Sequence, residues 1–264
     1  MNSSHDAVSM LNTVHSLPVM PSLLQLLSHT CQQEITELAE LSHLIALDPG
    51  LTAKILHLTN ASHFGSNSKV VTAEQAAVML GLKQLQHIIS VSTHQNPASR
   101  CAPDALRYYW RHSIATAFCA RAIAQSRHMK QDYAYTAGLL HGIGDLLLLL
   151  HPDISISTAE GTQKPEADRA GYILARQWHF ADAITEAILH FRAPPDDTHQ
   201  LLASIVHLAS AFVTALDICG EHEHTLPLLS THAWDTLALT GKECMQIFRE
   251  TEMHAIAYFD LLQI

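Results

Sequence analysis

The sequence lacks paired cysteines and long apolar runs. Its cysteines, five in 264 residues, stand far apart and form no CxxC pair. An odd number without the spacing of secreted proteins favours reduced thiols in the cytoplasm. The first 20 residues show no basic segment followed by an apolar core, as a signal peptide would, and no uninterrupted apolar run approaches the ~18 residues that a membrane span needs. The sequence therefore predicts a cytoplasmic protein without a membrane span.

Basic residues are also scarce, with 15 Lys and Arg against 25 Asp and Glu and a formal net charge of -10. This balance opposes a general attraction to DNA, RNA or anionic lipid. One stretch, between residues 104 and 130, has several basic residues and a single acid, Asp104; the basic residues are Arg107, Arg111, Arg121, Arg127 and Lys130. Such a stretch is typical of a solvated helix face, and nucleic-acid binding is the weaker alternative.

The common catalytic motifs are absent. The sequence contains no GxGxxG, P-loop, HExxH or GxSxG pattern, and its serines, histidines and aspartates show no spacing that picks out a triad. The 20 histidines are mostly scattered. We therefore expect no cofactor, no catalytic residue and no dedicated metal ligand.

Helical periodicity dominates the chain. Apolar residues recur at helical spacing in most segments, and β-branched runs are too short for a sheet, so the sequence predicts an all-α fold. Asp48-Pro49-Gly50 and Gly81 interrupt the pattern, and a capping-box pattern begins at Thr240. The Pro-containing stretch 96–103 is the best internal boundary. We predict a smaller N-terminal helical bundle at 1–100, a helical core at 101–220 and a C-terminal helical extension at 221–264.

The segment AGLLHGIGDLLLLLHP, residues 137–152, poses a question. Its periodicity predicts one helix from about Asp132 to His151, with Gly142 and Gly144 inside it. Because glycine inside a helix costs ~1 kcal/mol relative to alanine, both glycines beside the lone His141 need a reason.

Several blocks, in order, resemble one family. SLPVMPSLLQLL, DPGLTAKILHLTN and AAVMLGLKQLQHII are similar to the first half of the HDOD domain, an output-type relative of the HD and HD-GYP metal phosphohydrolases. YYWRHSIATAFCARAIA and YTAGLLHGIGDLLLL are similar to its second half. The resemblance runs from about residue 17 to 215. It implies an HD-domain-like multi-helix bundle, a bacterial signalling context, and generally no demonstrated catalysis.

The resemblance also identifies the positions of the HD metal ligands. The first histidine matches His112, the HD dyad matches His141-Gly142, and the paired histidines match His190-Phe191. A further histidine position is Ala167, and the late aspartate is Ser210. Three histidines thus remain, and glycine cannot supply the bridging carboxylate of an HD dyad. The resemblance implies that Gly144 is a position of close helix packing.

These substitutions predict a non-catalytic regulatory module for signal transduction. It would bind a signalling protein or a small ligand through a degenerate HD pocket formed by His112, His141, Gly142, His190 and Ser210. The alternative is a metal-dependent phosphohydrolase with a rearranged site, since three histidines can bind zinc and Asp145 is four residues from His141. The sequence leaves the oligomeric state open.

Overall fold

The computed structural model describes residues 17–33, 35–62, 69–151, 166–196, 200–220 and 228–264. Apart from one 3₁₀ turn, Pro97–Arg100, the regular elements of these residues are α-helices, which confirms the predicted all-α class. The helices are α1 Pro21–Cys31, α2 Leu38–Ile45, α3 Pro49–Ser62, α4 Ala73–His94, α5 Pro103–Ser126, α6 Gln131–Leu140, α7 Ile143–Leu150, α8 Glu166–Gln177, α9 Asp182–His190, α10 Leu201–Ala215, α11 Thr231–Leu237 and α12 Gly241–Leu262.

Local signals placed several helix ends correctly. Helix α3 begins at Pro49, within the predicted break Asp48-Pro49-Gly50, so Pro49 and Gly50 form its first turn. Gly81 has φ 73° and ψ 165°, a non-helical conformation that kinks α4 where the pattern was interrupted. The Thr240 side chain accepts a hydrogen bond from the N–H of Glu243, whose carboxylate in turn accepts from the N–H of Thr240, so the capping box is confirmed.

The single helix predicted from Asp132 to His151 is wrong. Helix α6 ends at Leu140 and α7 begins at Ile143, with His141 and Gly142 in the turn between them. Gly142, a poor helix former, therefore lies in that turn. The segment 131–150 is long and apolar enough to cross a membrane. However, 72% of an 18-residue apolar stretch within it is buried inside the protein, as in a core helix.

The described residues fall into two compact units. The first unit contains the described residues up to Leu106 together with Ile143–Ala181. In this unit α1, α2 and α3 pack against α4, and α7 packs against α8. A Cβ atom on Gly144 would lie 1.8 Å from the carbonyl oxygen of Ala167. Gly144 is thus a close helix-packing position, as predicted.

Two buried polar side chains organise the DPGLTAKILHLTN segment in the first unit. The carboxylate of Asp48, fully buried, accepts hydrogen bonds from the N–H of Leu51 at 2.7 Å and of Met20 at 2.8 Å. The amide of Asn60 donates to the carbonyl of Val70 at 3.0 Å and accepts from its N–H at 2.8 Å. Both residues satisfy buried backbone groups, so this segment has a structural role.

The second unit contains Arg107–Gly142 and the described residues from Asp182 onward. Helix α10 lies at its centre, in contact with α6, α9 and α11. The inward face of α12 is also buried, through Cys244, Ile247, Thr251, Ala255, Phe259 and Leu262. The predicted boundaries at residues 100 and 220 remain a prediction.

Candidate functional site: a neutral histidine pair

Two predicted pocket histidines meet in the second unit. His112 lies on α5 and His141 lies directly after α6, and their ring centroids are 5.3 Å apart. Gly138 allows the two helices to approach, because a Cβ atom at this position would lie 2.8 Å from the carbonyl oxygen of Thr116. The close approach of α5 and α6 therefore brings the rings together.

Hydrogen bonds identify the tautomer of each ring. Nδ1 of His141 is 2.6 Å from the carbonyl oxygen of Gly138, so Nδ1 carries a proton and Nε2 has the lone pair. Nε2 of His112 is 3.4 Å from Oγ1 of Thr214. Because that hydroxyl donates to the carbonyl of Ser210 at 3.0 Å, it accepts from Nε2 of His112, and Nδ1 of His112 has the lone pair.

Burial keeps both rings uncharged. Burial, together with a smaller contribution from the positive charge of Arg192, lowers the pKa of His112 to about 4. Burial also lowers the pKa of His141 to about 3, with added repulsion from His112 and Arg192, although the hydrogen bond to Gly138 opposes the shift. Both imidazoles are thus neutral near pH 7, in a positive electrostatic field that disfavours a second cation.

An aromatic side chain stands beside the pair. The ring of Phe191 meets His141 edge-on, with 4.8 Å between centroids, and the guanidinium carbon of Arg192 lies 4.8 Å from the centroid of Phe191. Phe191 occupies the position that the resemblance assigns to the second of the paired histidines. It contributes an apolar surface where that histidine would offer a nitrogen atom that can bind a metal ion.

The other predicted pocket residues have separate contacts. Nε2 of His190 is 3.4 Å from Oε2 of Glu186, one turn earlier on α9. Ser210 reaches the pair through its backbone, since its carbonyl accepts from Thr214. Gly142 follows His141 in the turn, and Asp145 belongs to the first unit. The assignment of these residues to a functional pocket remains a prediction.

The described ranges contain no group of three or more His, Cys, Asp or Glu side chains placed to hold a metal ion. Divalent cations of phosphohydrolases need several such donors converging on one point. The histidine pair by itself offers two nitrogen donors and no carboxylate.

Sequence reasoning missed a further buried histidine in the second unit. His207, on α10, donates from Nδ1 to the carbonyl of Phe191 at 2.7 Å and accepts at Nε2 from the N–H of Ser230 at 2.9 Å. Burial lowers its pKa, although the hydrogen bond to Phe191 opposes the shift. The only signal in the sequence was a histidine within an apolar helix, because both partners are distant along the chain.

The basic stretch on and after α5 makes contacts within the second unit. Arg127 pairs with Glu243, and three other cations lie 4.6–5.4 Å from aromatic ring centroids. These contacts are Arg111 with Phe259, Arg121 with Phe118 and Tyr135, and Lys130 with Tyr133. They give these side chains a packing role and do not favour the nucleic-acid alternative.

Known proteins of similar sequence and fold come from several bacteria. The MmoQ response regulator of Methylococcus capsulatus str. Bath is 20% identical, with a TM-score of 0.67, and the match covers 89% of this chain and 99% of that one. A virulence factor of Campylobacter jejuni subsp. jejuni is 16% identical, with a TM-score of 0.60, covering 88% and 99%. At these identities the likeness establishes the fold.

A protein of Treponema pallidum (strain Nichols), described as uncharacterized, is 23% identical over 230 residues. The match covers 80% of this chain and 45% of that protein, so the chain spans less than half of the relative's length. The family model for the HDOD domain matches residues 17–194, more than half of the chain. The chain therefore belongs to the HDOD domain family.

Proposed function

We propose that the chain is a non-catalytic regulatory module of bacterial signal transduction, acting in the cytoplasm. It binds a signalling protein or a small ligand at the pocket around His112 and His141. The observation that supports this function best is the neutral histidine pair in the field of Arg192. Membership of a family often associated with signalling, and the fold shared with a response regulator, are consistent with it.

The chemistry of the pair favours hydrogen bonding over metal binding. Nε2 of His141 and Nδ1 of His112 have lone pairs, so the two rings can accept N–H or O–H groups of a ligand. A phosphohydrolase would instead need a hard cation to polarise phosphate and activate water. Gly142 offers no carboxylate for that cation, and Arg192 repels it.

The proposal predicts that the purified chain does not hydrolyse phosphoesters. The assay measures phosphate release from cyclic dinucleotides, nucleotides and a generic phosphoester, with Mn²⁺ or Mg²⁺ added. We expect no turnover above a buffer blank, because the positions of the HD dyad aspartate and the late aspartate have become Gly142 and Ser210. Gly142→Asp alone should also be inactive, since Ala167, Phe191 and Ser210 remain.

The alternative, a metal-dependent phosphohydrolase with a rearranged site, makes the opposite prediction. Turnover that is lost in His141→Ala but retained in His87→Ala, a change at an exposed histidine on α4, would establish it. Elemental analysis of protein purified without added metal provides a second readout. One equivalent of a transition metal, lost in His141→Ala, would also contradict the non-catalytic function.

A further inference from the structure

Helix α12 has an exposed face opposite its buried one. Three large apolar side chains lie on it: Met245 is 54% exposed, Met253 62% and Ile256 47%. Lys242, Arg249, Glu252 and Asp260, also exposed, lie on the same side of the helix at helical spacing. We call these seven residues the outer face. An open cavity with a volume of about 670 Å³ lies along it, and its lining includes Met245, Arg249 and Met253.

The outer face includes a continuous stripe of the helix that carries both apolar and charged side chains. Residues 242, 245, 249, 252 and 256 follow one another at intervals of three, four, three and four. This alternation keeps the five side chains on one stripe of the helix, on which the apolar Met245 and Ile256 flank the charged Arg249 and Glu252. On a surface helix that packs only inward, the outward face is typically polar, whereas here it also carries Met245, Met253 and Ile256.

The charges on the outer face are self-complementary in one orientation. When two copies of α12 run antiparallel about a twofold axis between residues 250 and 251, Arg249 of each copy faces Glu252 of the other. The same register places Met245 opposite Ile256 at both ends. A parallel pair in register would instead place Arg249 against Arg249 and Glu252 against Glu252, which is unfavourable.

We infer that the outer face of α12 is the contact surface of a symmetric antiparallel homodimer. A twofold contact uses the same patch on both subunits and closes on itself, as this register does. One helix pair is a small interface, so we expect a weak dimer that dissociates on dilution. The surface is separate from the histidine pair, and its test does not depend on the proposed function.

Sedimentation velocity of the full chain tests the dimer at concentrations from about 1 to about 300 µM, a range set to bracket that weak affinity. We expect a monomer at the low end and a dimer at the high end. Arg249→Glu and Glu252→Arg should each raise the Kd at least tenfold, because each places like charges opposite each other twice. An equimolar mixture of the two variants should restore dimerisation, since both ion pairs re-form between unlike chains.

Met245→Glu should also abolish the dimer, whereas Met79→Glu, a change at another exposed methionine, on α4, should leave it intact. Circular dichroism and thermal unfolding of each variant confirm that the monomer remains folded. A wild-type monomer at the highest concentration would overturn the inference. So would a dimer that tolerates both single charge reversals, or a mixture of the two variants that stays monomeric.

Discussion

At the scale of single residues, the histidine pair combines burial with defined hydrogen bonds. His141 donates to Gly138 and His112 donates to Thr214, so each ring uses one nitrogen within the protein. The remaining nitrogen of each ring accepts hydrogen bonds only while the ring is neutral. The proposed binding of a donor group at the pair therefore requires the low pKa values of the two rings.

These pKa values predict that stability falls in acid. The unfolded chain binds protons at its histidines below about pH 6.5, whereas folded His141 has a pKa of about 3. The contribution of neutral His141 to the free energy of unfolding is fully present above pH 6.5. It is lost as the pH falls toward 3, because the unfolded state then binds more protons than the folded state. Between pH 8 and pH 5, wild type should lose about 2 kcal/mol more than His141→Gln, as measured by urea unfolding at each pH.

Another buried group affects the same pH range with the opposite sign. Burial raises the pKa of Asp48 to about 6, although its backbone N–H donors oppose the shift. Folded Asp48 takes up a proton before the unfolded residue does, so it adds stability as pH falls through 6 toward 4. Both proteins contain Asp48, and the difference between them isolates His141. Identical pH dependence in wild type and His141→Gln would contradict this account of the pair.

At the scale of helices, the glycines of the segment 137–144 have different roles. Gly138 allows α5 and α6 to approach, Gly142 lies in the turn after α6, and Gly144 allows α7 to pack on α8. The sequence predicted the packing role of Gly144, but it predicted neither the turn at Gly142 nor the close approach at Gly138. Apolar residues continue at helical spacing through both α6 and α7, so periodicity alone could not reveal the turn.

The close approach at Gly144 gives a sharp mutational prediction. Gly144→Ala places a Cβ atom 1.8 Å from the carbonyl oxygen of Ala167, so the backbone must shift. We expect a loss of about 3 kcal/mol or more in the free energy of unfolding, at the upper end for overpacking. Gly241→Ala is the matched control, because a Cβ atom there meets nothing within 4 Å. Equal stability of Gly144→Ala and Gly241→Ala would show that α7 and α8 are not in close contact.

Helix ends were predictable because their signals are local. Pro49, Gly81 and Thr240 act within one turn of their own positions. Gly81 kinks α4 and Thr240 caps α12 where the sequence indicated, and α3 begins at Pro49, inside the predicted break. The contacts of His207 were not predictable for the opposite reason. Its partners lie 16 and 23 residues away, and only the packing of the second unit brings them together.

At the scale of the whole molecule, the family match and the compact units end at different residues of the chain. The HDOD match ends at residue 194, whereas the second unit continues to Ile264. Several long-range contacts join the last helices to the family-matched part. Arg127 pairs with Glu243, and Phe118 stacks on Tyr258 with 5.2 Å between centroids. The C-terminal residues therefore contribute to the core of this unit.

Removing these residues should disrupt the second unit. A chain truncated after Gly220 loses the N–H of Ser230, which satisfies His207, and the buried face of α12, which includes Ile247 and Phe259. Since a domain is stable by only about 5–15 kcal/mol, we expect the truncated chain to lose cooperative thermal unfolding. Differential scanning calorimetry measures this loss.

Two substitutions on opposite faces of α12 separate a loss of packing from a loss of chain length. Ile247→Glu buries an unpaired carboxylate and should destabilise the full chain by several kcal/mol. Met245→Glu changes an exposed position and should leave the melting temperature of the monomer unchanged, even though it prevents pairing of α12. A truncated chain that unfolds cooperatively at the wild-type temperature would instead establish residues 221–264 as an independent extension, joined to a unit that is complete without them.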